Sequence, residues 1–184
     1  MEKSKTISQL STRCLVIMAM FAAVLCVSAY ISIPLPNGTH ITALNFIITL
    51  IVLTFPVGQA LAIVLVWLLL GITGIPVLVG GNAGIGYILG PYGGYSVSFV
   101  LIAIFIPLLC RRKYNPLYFS AFAILSAVAV DLTGTFWIMA VSKVSFKAAF
   151  IAGFIPFIAL DIIKAIVAAQ IVPKLRKLVT DVIY

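Results

Sequence analysis

Four apolar runs, residues 14–33, 95–110 with its upstream extension, 117–141 and 148–172, are each near the length that carries a helix across a bilayer. A hydrocarbon core about 30 Å thick takes about 20 residues at a rise of about 1.5 Å each. The chain has 184 residues, 64% hydrophobic and only 9% charged, where an ordinary soluble domain is about 25% charged. That apolar surplus exceeds what one core can hide and must face lipid. The sequence therefore predicts an all-α integral membrane protein, a single membrane domain over residues 1–184.

Residues 41–72 are too long for one ordinary helix and are interrupted at Phe55-Pro56-Val57-Gly58, where proline removes a donor and clashes with the preceding turn. Charge decides between one kinked span and two short ones, because Lys and Arg gather in cytoplasmic loops. With two spans the total is six. The inner set is then Lys3, Lys5, Arg13, Arg111, Arg112, Lys113, Lys174, Arg176 and Lys177, against Lys143 and Lys147 outside. With one span the basic residues fall almost evenly on the two sides. The expected spans are 14–33, 42–55, 57–72, 86–110, 117–141 and 148–172, with both termini cytoplasmic.

The net charge of +8 does not point to nucleic acid, since the basic residues sit at the ends of apolar runs rather than on a polar surface. Cys14, Cys26 and Cys110 are scattered and form no C-x-x-C, so disulfide, redox and zinc frameworks lapse. A cleavable leader ending at Val27-Ser28-Ala29 is the weaker reading of the N-terminus, because the apolar run continues through Ile33. The tail after Pro173 reads as a solvated interfacial end.

Nine of the thirteen glycines fall within residues 71–94, GITGIPVLVGGNAGIGYILGPYGG. Exposed peptide groups are costly in hydrocarbon, so this segment must line a cavity or be covered by protein. The six-span topology makes its first half an extracytoplasmic loop between the third and fourth helices, dipping into the outer mouth of the bundle. Asn82 is its amide, and Tyr87, Tyr92 and Tyr95 offer flat faces with polar tips. Gly90-x-x-x-Gly94 also fits tight helix crossing. Gly84-x-Gly86 lacks the strand and further glycine of a nucleotide loop.

Asp131, Asp161 and Lys164 lie inside expected spans, each costing about 2.5–3.5 kcal/mol on insertion scales. Asp161 and Lys164 share a helical face at i, i+3, with Pro156 loosening the turn before them. Near each other but not locked together, they offer an acceptor and a cationic donor to a small polar ligand. Asp131 has no basic neighbour at helical spacing and reads as a hydrogen-bonding group of the bundle interior. His40 reads as a solvated loop residue, Asn37, Thr42 and Asn45 as candidates for the outer cavity, and Trp67 and Trp137 as ring walls or interfacial anchors. Histidine pairs, a His-Glu metal motif and a Ser-His combination are absent from the spans, which leaves hydrolytic chemistry without its groups.

Gly74-Ile-Pro-Val77, then Gly84-x-Gly86-Tyr87-x-x-Gly90-Pro91-x-Gly93-Gly94-Tyr95, and Asp161-x-x-Lys164 in the last helix together resemble the BioY family, the biotin-specific substrate-binding (S) components of energy-coupling-factor (ECF) vitamin transporters. The resemblance implies the six-helix S-component fold in a prokaryotic cell membrane, capture of biotin from outside, and no cofactor. It implies partners too: a transmembrane coupling protein and cytoplasmic ATPases, docked through small residues of the first helix, here Ala19-x-x-x-Ala23. Where the family often opens its second helix with Ile-Thr-Leu-Gln, this chain reads Ile41-Thr42-Ala43-Leu44-Asn45.

Biotin brings a ureido ring with two donors and one strong acceptor, an apolar bicycle and a valerate carboxylate. With that ligand, Asp161 is expected to accept from a ureido N–H and Asn82 to donate to the ureido oxygen. Lys164 would meet either the carboxylate or the ureido oxygen, and Tyr87 would pack the bicycle. The rival readings are an S component for another vitamin and a stand-alone carrier with Asp131, Asp161 and Lys164 as a proton relay.

Overall fold

The computed structural model describes residues 12–34, 40–110 and 113–183. Asn37, Lys3, Lys5, Arg111 and Arg112 lie outside the described residues. The chain is mostly helical: α1 (Thr12–Ser28), a hairpin of β1 (Ser32–Pro34) and β2 (His40–Thr42), α2 (Leu44–Thr54), α3 (Val57–Ile72), a single 3-10 turn (Val79–Gly81), α4 (Ile85–Leu89), α5 (Gly93–Leu109), α6 (Pro116–Ser142), α7 (Phe146–Gly153) and α8 (Ile155–Ile183). The strands pair antiparallel with Ile33 opposite Ile41.

Local chemistry sets the boundaries. Extended Pro56 separates α2 from α3, as the Phe55-Pro56 break predicts. Pro116 opens α6 at a position that lacks an intrahelical partner anyway, and the Asn115 side chain accepts from the Leu117 and Tyr118 amides. Ser145 caps α7 through Ala148 N.

Three expected spans are revised. The first helix stops at Ser28, and the β-rich Ile31-Ser-Ile-Pro stretch pairs in the hairpin instead of extending the helix. The fourth, expected from residue 86, is divided at Gly90-Pro91 into α4 and α5. The sixth breaks at Phe154 (φ −112°, ψ −56°), two residues before Pro156, which sits in the first turn of α8. α8 runs through Pro173 without a break, and Lys174, Lys177, Leu178 and Thr180 beyond it are exposed.

Trp67, Phe99, Phe55, Phe119 and Leu25 fill the core. Leu15, Val16 and Met20 of α1, Phe136 of α6 and Ile163 of α8 point outward, the inverted pattern of a lipid-facing bundle. α6 and the Ile155–Thr180 part of α8 are long and apolar enough to cross a membrane, while α1, α2, α3 and α5 are shorter apolar helices.

The helix ends fall into two groups. At one end Arg176 of α8 donates to Leu53 O at the close of α2 and to Cys110 O after α5, and lies over the Phe119 ring near the start of α6. At the other end the hairpin, the glycine segment and the openings of α2 and α5 surround a cavity.

Candidate ligand-binding site

The glycine segment is folded by straps from the helices. Trp67 Nε1 donates to Val77 O (2.6 Å) and Trp137 Nε1 donates to Gly90 O (2.9 Å). The two tryptophans therefore fasten the loop, and neither is among the residues that line the cavity. Leu78 N donates to Asn82 O and Gly81 N to Leu78 O, closing a tight turn through Gly80 and Gly81, whose φ values of 71° and 75° are left-handed. Gly94 lets α5 approach α6: a Cβ there would lie 2.2 Å from Trp137 Cβ. Gly90 lies outside that helix as the extended cap of α4, so the small-xxx-small pattern does not describe one helical face.

This scaffold encloses a cavity of about 320 Å³, at the small end of the range for small-molecule sites, about 300–1,000 Å³. β2 contributes His40 and Thr42, and the glycine segment contributes Val79 and Asn82. Tyr87, Tyr92, Tyr95, Phe99 and Phe157 present aromatic rings, and Asn45 and Asp131 supply an amide and a carboxyl. Tyr95 is fixed by donating to Gly153 O (2.5 Å), a carbonyl beside the break at Phe154. Tyr87, in the short α4, has its phenol pushed well above the ordinary range, first by burial and then by nearby Tyr92, so it stays a hydrogen-bond donor at neutral pH.

The sequence-derived site residues divide into two groups. Asn82 and Tyr87 line the cavity; Asn82 Nδ2 donates to Val79 O (2.8 Å) within its own loop. Asp161 and Lys164 instead border a second pocket of about 10 Å³ that shares Asn45 with the first. That volume is at most about one water.

The expectation that this pair is not locked is overturned. Lys164 Nζ lies 2.8 Å from Asp161 Oδ1 and donates to Thr42 O (3.0 Å), and Asn45 Nδ2 donates to Asp161 Oδ2 (2.5 Å). With Asp161 only 4% exposed, such pairing offsets the burial of charge. Asn45, one residue among several candidates in the sequence, is thus the link between the ion pair and the cavity. Its chain position, in the first turn of α2 three residues after Thr42, was the available signal.

A further expectation is corrected. His40 is not a solvated loop residue: it lies in β2 and lines the cavity, its ring packs over Gly80, where a Cβ would lie 2.8 Å away, and its buried Nδ1 has no partner among the described residues. Asp131 is buried in the bundle interior as expected, but both its carboxyl oxygens lack hydrogen-bond partners among the described residues, and it lines the cavity. No group of three His, Cys, Asp or Glu among the described residues could hold a metal ion.

A lipid-facing helical bundle that encloses a small aromatic and polar cavity is a membrane protein built to bind a small solute. The chain belongs to the BioY family, whose family model matches residues 1–181. It is 36% identical over 160 residues to a probable biotin transporter BioY of Pyrococcus horikoshii, covering 87% of this chain and 94% of that one. It is 31% identical to a biotin transporter BioY of Thermotoga maritima, covering 86% and 93%. Among solved structures it resembles the S-component for biotin from an ECF-type ABC transporter, with a TM-score of 0.80, 26% identity, and 89% and 90% of the two chains covered. The chain is accordingly a transport component and not an enzyme.

Proposed function

We propose that this protein is the biotin-binding S component of an ECF-type importer, capturing biotin outside a prokaryotic plasma membrane for ATP-driven uptake. The observation that carries this reading is the cavity: about 320 Å³, with aromatic rings for an apolar bicycle and, on Asn82, Asn45 and Asp131, polar groups for a cyclic urea. Asn82 serves the ureido oxygen through its second amide hydrogen, and Tyr87 packs the bicycle. Asp161 and Lys164 serve the polar head through their unspent capacity. Each Asp161 oxygen keeps a second lone pair and Lys164 a third N–H, reached from the cavity when Asn45 turns aside.

Six spans, α1, α2, α3, α5, α6 and the α7–α8 pair, account for the alternation of helix ends, with Lys143 and Lys147 at the cavity end. Lys113, Lys174, Arg176 and Lys177 mark the opposite, cytoplasmic end. Ala19 and Ala23 are exposed one turn apart on α1, which suits close helix docking on a transmembrane coupling protein. That partner and its ATPases supply the energy, since the chain carries no nucleotide loop.

Calorimetry of the purified, detergent-solubilised protein tests the assignment. Biotin should bind tightly, and Asp161→Ala and Lys164→Ala, each checked for cooperative unfolding, should weaken it at least about tenfold. Tight binding that survives both substitutions would make the ion pair structural. A folded parent that does not bind biotin would overturn the assignment.

A further inference from the structure

Asp131 stands apart from the other polar groups around the cavity. It is 0% exposed, on the wall formed by α6, and neither of its carboxyl oxygens has a hydrogen-bond partner among the described residues. The bond from Thr135 Oγ1 goes to its backbone carbonyl and leaves the carboxyl unserved. Asp161, by contrast, has both oxygens engaged, by Lys164 and Asn45. A buried polar group without a partner destabilises a fold, and an ionisable one inside a membrane span does so at particular cost. Here the residue forms part of the cavity wall.

We propose that Asp131 is a direct ligand contact, accepting a hydrogen bond from an N–H group of the bound solute. The inference rests on the biotin assignment above, which makes that donor one of the two ureido N–H groups. The two groups lie on opposite sides of the urea carbonyl and point apart, so a single carboxyl does not take both. Asp161 lies on the Asn45 side of the site, and Asp131 supplies the second acceptor, on α6. At least one oxygen of a carboxyl accepts in either protonation state, so the role holds for acid and carboxylate alike. An amide-for-acid change keeps the shape, and a leucine removes the acceptors while keeping most of the volume.

The test compares the parent with Asp131→Asn and Asp131→Leu, using biotin as the probe. Asp131→Leu should raise the Kd for biotin roughly ten- to one-hundred-fold, and Asp131→Asn should raise it by less. The biotin-free Asp131→Leu protein should unfold at a temperature equal to or above the parent's, since an unpaired polar group has gone. Infrared difference spectra of the parent with and without biotin should contain a carboxyl band that Asp131→Asn abolishes. Unchanged Kd in both variants, or a changed Kd without that band, would overturn the contact while leaving the biotin assignment standing. Absence of biotin binding by the parent would overturn both.

Discussion

Trp67 holds the glycine segment by one hydrogen bond, to a carbonyl ten residues downstream, and it is itself fully buried. Trp67→Phe keeps an aromatic ring but leaves the Val77 carbonyl without its donor, at about 1–3 kcal/mol, and opens a void beside Phe99, which packs at 5.8 Å between ring centroids. Thermal unfolding in detergent should shift down, and biotin should dissociate faster because Val79 and Asn82 ride on the loosened loop. Unchanged stability and off-rate would mean that the strap is redundant. At this scale the sequence exposes candidates better than partnerships. Asp161 and Lys164 are visible as an i, i+3 pair, but Asn45 reaches Asp161 across 116 positions, and no local pattern announces such a meeting. Asp131 shows the same limit: the absence of a helical-spacing partner says nothing about what another helix brings or fails to bring.

Interruptions are the most legible elements. Prolines mark the junctions at Pro56 and Pro91 because a missing donor and a ring clash act locally. Pro173 does not break α8: Tyr114 Oη, from the connection before α6, donates to Ala169 O, the carbonyl that the proline leaves without its helical donor, and Arg176 spans two helix ends on the other side. Arg176 earned notice in the sequence only as a cytoplasmic charge, whereas its guanidinium gathers the ends of α2 and α5 beside Phe119. Arg176→Met keeps the apolar stem and removes the fork. It should cost about 2–4 kcal/mol, read as a lower unfolding temperature, by stripping donors from Leu53 O and Cys110 O. Arg176→Lys should recover only part of this, since an ammonium lacks the planar fork that meets both carbonyls. Biotin affinity should stay near the parent's in both, because the cavity lies at the other end of α2 and α5; a large loss of affinity would show that the two ends are coupled.

On the scale of the whole molecule, the apolar exterior and the two-ended layout follow from composition and charge, while the cavity's volume depends on packing that no single segment specifies. α2 illustrates the difference. Its eleven residues span about 16 Å, well short of a bilayer core, yet eight of them are buried. α2 is thus sheltered by its neighbours and spares lipid from meeting its ends. The six-span arrangement predicts which loops water reaches from each side. In a chain with Cys14, Cys26 and Cys110 replaced, Lys143→Cys should react with a membrane-impermeant maleimide on intact cells, and Lys113→Cys only after permeabilisation. The reverse pattern would invert the protein in the membrane and place the cavity mouth on the cytoplasmic side, which is incompatible with capture from outside. Labelling of both positions on intact cells would remove the α6 crossing between them, and with it the alternation that puts the glycine segment, Asn82 and Asp131 at a single mouth.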